Sequence, residues 1–212
     1  MHSQISEEKL IEVFMAVDDF VILFDWWLTI RALTPARQPT RQPQLSTSEI
    51  ITILVYYHHS GYKNFQYYYQ RLVEPQMRTY FPDLVSYQRF IDLLPRQAPT
   101  LHVLTKYLCL MGKRTGCYFA DSKKLPVCDN RRIHSHRVFK DIAGRGKSST
   151  GWFYRLKLHL IINELGQIMN FFITPANVSD NNDSVLRIRK LLGKLTGKCY
   201  ADKAGPPMRL HQ

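Results

Sequence analysis

The sequence predicts an all-α N-terminal domain followed by an α/β domain in which a strand, a two-stranded hairpin, a helix and a strand follow in order. Three observations carry this reading. Apolar residues recur at helical spacing through much of the first hundred positions. Residues 154–163 alternate, with Leu156, Leu158, Leu160 and Ile162 on one side and Arg155, Lys157 and His159 on the other, as a half-buried strand requires. Two short apolar runs, residues 117–121 (CYFAD) and 198–202 (KCYAD), each end on an acid.

In the helical part, Ser6 can cap a helix whose Leu10, Ile11, Phe14, Val17, Val21 and Phe24 share a face. Three prolines between Thr34 and Pro43 mark a linker or long loop. Ser46 and Glu49 form a capping-box pattern ahead of Ile50, Ile51, Leu54 and Val55, and Gly61 closes that helix. A helix from about Asn64 carries Phe65, Tyr68, Tyr69 and Leu72 until Pro75 breaks or kinks it. Ser86 can cap a short helix, and another follows Pro99 to about Met111. With Tyr87, Gln88 and Arg89 at its start, residues 86–94 could be the recognition helix of a helix-turn-helix, although a plain bundle fits the same pattern.

In the α/β part, residues 164–167 form a turn and residues 168–174 the returning strand of a hairpin. Asp180 and Asp183 sit where they can cap a helix bearing Val185, Leu186, Ile188, Leu191 and Leu192, which Gly193 and Gly197 close. The expected domains are 1–112, helical and a candidate for DNA binding; 113–203, the α/β domain; and 204–212, an aberrant tail without regular structure. Pro206 and Pro207 argue against a strand or helix at that point.

Charge is unevenly divided. Residues 1–100 hold nine Lys/Arg against ten Asp/Glu, and residues 101–212 hold twenty against seven. A surplus confined to one domain and not placed on an amphipathic helix points to nucleic acid before a lipid surface. Residues 113–157 alone carry twelve Lys/Arg against three acids, interleaved with Phe139, Trp152, Phe153 and Tyr154. Arg131, Arg132, Arg137, Lys140, Arg145 and Lys147 are candidate phosphate contacts there, with the aromatics stacking on unpaired bases; Lys123, Lys124 and Lys203 belong to the same DNA-binding set. Four cysteines without a C-x-x-C pair suit free thiols in a reducing, cytoplasmic setting. Asp18, Asp19 and Asp25 interrupt the greasy stretch 13–30, which excludes a membrane span. Gly146-Lys147-Ser148 matches only the tail of a P-loop, since Asp141 stands where a glycine is needed. Cys128, His134 and His136 fit no familiar zinc spacing.

The order strand, hairpin, helix, strand is the beginning of an RNase H-like fold. There the first and fourth strands lie side by side and parallel, because the crossover through the helix returns right-handed. Asp121 and Asp202, far apart in sequence, would then meet at neighbouring strand ends. Two carboxylates so placed repel unless a cation lies between them, and Mg2+ takes carboxylate and phosphate oxygens.

The stretches FADSKKLPVC (119–128), NRRIHSHRVFK (130–140), GKSSTGWFYRLKLHLIIN (146–163), TPANVSD (174–180) and ADK (201–203) resemble the DDE transposases of bacterial insertion sequences, in particular the group numbered nine-eight-two. The resemblance implies an RNase H-like core with three acids and two Mg2+ or Mn2+ ions. It also implies phosphoryl transfer at inverted-repeat DNA ends by a homo-oligomer in a synaptic complex. By position, Asp121 is the first acid and Asp202 the second, each a catalytic metal ligand. The departure comes after Lys203. Relatives go on with Gly-Tyr and reach a glutamate on a later helix, whereas no Asp or Glu follows Asp202 here. A C-terminally truncated transposase, inactive alone, is therefore expected. The rival is a non-catalytic DNA-binding remnant that occupies or represses element ends.

Overall fold

The computed structural model describes residues 6–31, 43–128, 133, 143–148, 151–175, 195–201 and 208–210. The expected loop over 34–42, the helix opening at Asp180 and Asp183, and His134 and His136 lie outside them. The chain combines helices with a mixed sheet and divides into two compact units, Met1–Thr105 and Lys106–Gln212. The boundary falls a few residues before the one the sequence suggests, inside a helix.

The first unit contains α1 (Glu7–Arg31), α2 (Thr47–Tyr57), α3 (Phe65–Tyr68), α4 (Glu74–Gln76) and the start of α5 (Tyr87–Met111). Local chemistry sets the starts as expected. Ser46 accepts from the Glu49 amide at 3.1 Å and the Glu49 carboxylate accepts from the Ser46 amide at 2.6 Å, closing the capping box of α2. Asn64 caps α3 by accepting from the Tyr67 amide at 3.0 Å. Between α3 and α4 the chain winds as a π-turn over Tyr69–Val73, and a 3-10 turn follows at Met77–Thr79. The wider turn absorbs Pro75, whose missing amide would have served the Arg71 carbonyl in an α-helix. The unit's core gathers Tyr68, Tyr69, Leu72, Val73, Met77 and Phe90 against Ile50 and Ile53. The Tyr68 hydroxyl donates to the Ile53 carbonyl at 3.0 Å, and Tyr69 donates to the Val85 carbonyl at 2.7 Å.

Two expectations are corrected here. The pair of short helices is the single helix α5, which runs through Pro95 and Pro99. The two prolines are four residues apart, so the amide bonds they remove lie on one face and the rest of the ladder persists. The proposed recognition helix at 86–94 is thus the first part of a long helix capped by Ser86, whose hydroxyl accepts from the Arg89 amide at 3.4 Å. On α1, Ile11 is 52% exposed, while Leu10, Val13, Val17, Phe20 and Val21 are buried.

Among the described residues the second unit holds a six-stranded sheet of β1 (Cys117–Cys128), β2 (Gly144–Ser148), β3 (Gly151–Asn163), β4 (Ile168–Pro175), β5 (Gly197–Ala201) and β6 (Met208–Leu210). β3 pairs antiparallel with β1 on one edge; its other edge is shared by β4 along Leu156–Ile162 and β2 along Gly151–Arg155. β1 continues to β5 in parallel, and β5 to β6 antiparallel.

The tail is also corrected: Met208–Leu210 pairs with Gly197–Cys199. Pro206 and Pro207 precede those three residues, so neither proline has to donate to the ladder. The predicted alternation of β3 holds as a strand but not as a burial pattern. Lys157 is 6% exposed and Ile161 fully buried, while Leu158, Leu160 and Ile162 are only partly covered. The core of this unit lies on the other face, where Tyr118, Ile161, Met169 and Cys199 pack together. A register irregularity between Ile161 and Ile162 lets Met169 of β4 reach that cluster.

Candidate active site

Asp121 lies in the first half of β1, opposite Leu160 of β3, and is exposed. Its Oδ1 accepts from the Ser122 amide at 2.6 Å. Strand alternation puts Phe119, Asp121 and Lys123 on one face and Tyr118, Ala120 and Ser122 on the buried one. Phe119 and Tyr200 sit across from each other on β1 and β5 and stack at 5.7 Å, so the same face continues onto β5. The parallel ladder runs Cys117–Lys198, Tyr118–Cys199, Phe119–Tyr200 and Ala120–Ala201. It therefore carries the described part of β5 to the residue beside the one that precedes Asp121.

Two backbone contacts hold this register. The Lys198 amide donates to the Gly116 carbonyl at 2.8 Å. Gly197, at φ +130°, packs so closely on Gly116 that a Cβ there would stand 2.7 Å from the Gly116 Cα. A glycine pair at the entry to both strands thus draws β5 against β1. The β3–β4 end is anchored separately. Asn163, 1% exposed, donates to the Lys113 carbonyl at 2.9 Å and to Gln167 Oε1 at 2.8 Å. Its Oδ1 accepts from the Leu165 and Gln167 amides, at 3.1 and 2.8 Å, so one side chain ties the hairpin turn to the segment that leads into β1.

The sequence-predicted residues divide as follows. Asp121 stands at the position described. Asp202, the residue after Ala201, lies outside the described residues, as do Arg131, Arg132, Arg137, Lys140 and Lys203. Arg145 and Lys147 are on the outer strand β2, paired with Tyr154 and Trp152. Lys123 and Lys124 are both exposed but on opposite faces, so only Lys123 shares the face of Asp121. A carboxylate open to solvent suits a hard cation that takes oxygen ligands. Among the described residues no group of three His, Cys, Asp or Glu gathers that could hold a metal.

Sequence reasoning missed Lys106 and the burial of Lys157. Lys106 Nζ donates to Asn170 Oδ1 at 2.9 Å and to the Phe171 carbonyl at 2.6 Å, and lies 4.1 Å from the Phe171 ring centre. Burial pushes its pKa down. Nothing around Lys106 in sequence announced partners more than sixty residues away. Lys157 is buried in mid-sheet between Lys124 of β1 and Thr174 of β4. Beside it, His159 stacks on Phe172 at 4.4 Å and lies 3.1 Å from the Thr174 hydroxyl. The four cysteines are free thiols, as their spacing suggested. Among the described residues no helix is long and apolar enough to cross a membrane.

Residues 111–210 match a family model described as "Transposase DDE domain", a stretch that covers nearly all of the second unit and none of the helical core of the first. The match supports a DDE transposase and an enzyme of the nuclease and transposase class. No curated protein and no solved structure matches the chain.

Proposed function

Starting from a second unit similar to transposase DDE domains, we propose that this chain is an insertion-sequence transposase of RNase H-like fold, with Asp121 and Asp202 as its first two metal-binding acids. The observation that carries the proposal is the parallel register of β1 and β5. In our reading the ladder continues by one residue, which would bring Asp202 beside Asp121. The strand connectivity agrees with the fold: β4, β3, β1 and β5 lie in that order, with β5 parallel to β1. β6 differs, because it returns antiparallel.

Asp121 and Asp202 would hold Mg2+ or Mn2+ between their carboxylates. Two such ions, when bound, activate the attacking oxygen and stabilise the leaving one in an in-line displacement at phosphorus. The chain's own residues then have defined tasks. The Ser122 amide orients the Asp121 carboxylate by donating to Oδ1. Lys123 offers a cation to phosphate on the same face. Arg131, Arg132, Arg137, Lys140, Arg145, Lys147 and Lys203 supply further backbone contacts along the DNA, whereas Lys124, on the opposite face of the sheet, leaves the set.

No Asp or Glu follows Asp202 in the 212 residues. The basic surplus of residues 101–212 also fits a second reading, a non-catalytic DNA-binding protein that occupies element ends. Both readings require end-selective, charge-driven binding. Labelled duplexes with and without a terminal inverted repeat should separate in affinity, and the affinity should fall by about a thousandfold or more between 50 and 200 mM salt if six or more phosphates are contacted. Equal binding to both duplexes, or a flat salt response, sinks the proposal. Manganese-dependent cleavage that is lost in Asp121→Ala would reject the remnant reading and leave the transposase.

A further inference from the structure

α1 is apolar on two opposite faces. Its inner face buries Leu10, Val13, Val17, Phe20 and Val21. Its outer face presents Ile11 (52% exposed), Met15 (53%), Ile22 (60%), Trp26 (63%) and Ile30 (61%), with Leu23 (54%) beside them. An exposed row of large apolar side chains on a helix ordinarily meets a partner. Solvent on this stripe is a cost that single scattered surface leucines do not incur.

We propose that the outer face of α1 is a dimer interface, occupied by the same face of a second copy in antiparallel orientation. The proposal rests on the first unit alone and does not depend on the DNA chemistry of the second. The first argument is register. The stripe Ile11, Met15, Asp19, Ile22, Trp26, Ile30 is spaced 4, 4, 3, 4, 4 and so reads the same in both directions. Two copies related by a two-fold axis between Phe20 and Val21 set Ile11 against Ile30, Met15 against Trp26 and Asp19 against Ile22. An isologous interface needs this self-matching, and an unrelated partner would give no reason for it. The second argument is charge. α1 has Glu7 and Glu8 in its first turn and Arg31 in its last. The antiparallel pair opposes the helix dipoles, which a parallel pair would align.

The third argument is area. With roughly 100 Å² open on each aliphatic side chain and about 150 Å² on the indole, the stripe offers on the order of 650 Å² per copy, most of the ~800 Å² per partner that a stable interface buries.

Sedimentation of the full chain tests this, with Trp26→Glu and Ile22→Glu as variants and circular dichroism to confirm that both remain folded. The wild type should be dimeric by about 100 µM, and either variant should weaken the dimer about thirtyfold or more, as for a central interface residue. A cysteine pair fixes the orientation. In a C117S/C128S background, which removes the partly exposed native thiols, M15C/W26C should form an inter-chain disulfide on mild oxidation that neither the background nor M15C alone forms. In the antiparallel pair the two Met15 positions are about 16 Å apart along the axis, beyond disulfide reach. A chain monomeric at about 100 µM, a dimer unaffected by both charge variants, or cross-linking by M15C alone would each overturn the proposal.

Discussion

Replacing Gly197 with alanine tests whether the β1–β5 register depends on the glycine contact at its entry. Gly197 has φ +130°, a region that L side chains scarcely adopt, and its missing Cβ would meet Gly116 Cα at 2.7 Å. The conformational cost of a side chain in that region is about 1–3 kcal/mol. Backbone cannot yield as a side-chain end can, so β5 must shift and stretch the 2.8 Å bond from the Lys198 amide to Gly116. Losing it adds about 1 kcal/mol. The total, on the order of 2–4 kcal/mol, is a large part of an ordinary domain's stability. Urea unfolding read by circular dichroism should move the second unit's transition by that amount and leave the first unit's in place. Gly61→Ala is the control. Gly61 also has a positive φ, +75°, but nothing lies within 4 Å of its Cβ position, so only the left-handed backbone cost of about 1–2 kcal/mol applies, and it falls on the first unit. If Gly197→Ala unfolds within about 0.5 kcal/mol of the wild type, an ordinary surface effect, the contact does not hold β5 and the reasoning fails.

Two further perturbations have definite outcomes. Asn163→Ala removes four hydrogen bonds at the hairpin turn and should cost about 2–4 kcal/mol by denaturant titration, because the Lys113 carbonyl and two amides lose their partner together; a loss below about 1 kcal/mol would show that water replaces the side chain. Burial raises the pKa values of Tyr68 and Tyr69 above the ordinary tyrosine value of 10.0. The folded state therefore holds protons that the unfolded chain releases, so this stability is fully present below pH 10 and is lost as pH rises toward the folded values. Thermal midpoints should be flat up to about pH 9.5 and fall above 10, less steeply in Tyr69→Phe; an equal slope in the variant would exclude Tyr69 as a source.

Local signals in the sequence were read correctly wherever one residue type does one job. Ser46 with Glu49, Asn64 and Ser86 start helices because each places an acceptor where free amides must be satisfied. The hairpin was legible because a polar turn separates two apolar strands. Burial was not. Leu158 and Leu160 look like core, yet Lys157 is the more deeply covered. Alternation says that a strand has two faces and is silent on which one another layer covers. Pro99 looked like a boundary because it removes an amide bond, whereas the face it shares with Pro95 lets α5 continue. The tail misled for a related reason: Pro206 and Pro207 forbid pairing only at their own positions, and β6 begins at the next residue. Of the candidate site, the parallel neighbour strand was legible from two acid-ended runs, whereas Asp121 lies within β1 and not at its end. The contacts of Lys106 depend on partners far along the chain, which no local pattern encodes.

The central claim is that Asp121 and Asp202 form one metal-binding pair. Titrating Mn2+ into the full chain and following the free ion by electron paramagnetic resonance tests it most directly. The account predicts that Asp121→Asn and Asp202→Asn each weaken binding by about tenfold or more, and that the double variant is hardly worse than either, since groups that share one ion are not additive. Unchanged binding in either single variant, or two losses that simply add, would contradict it.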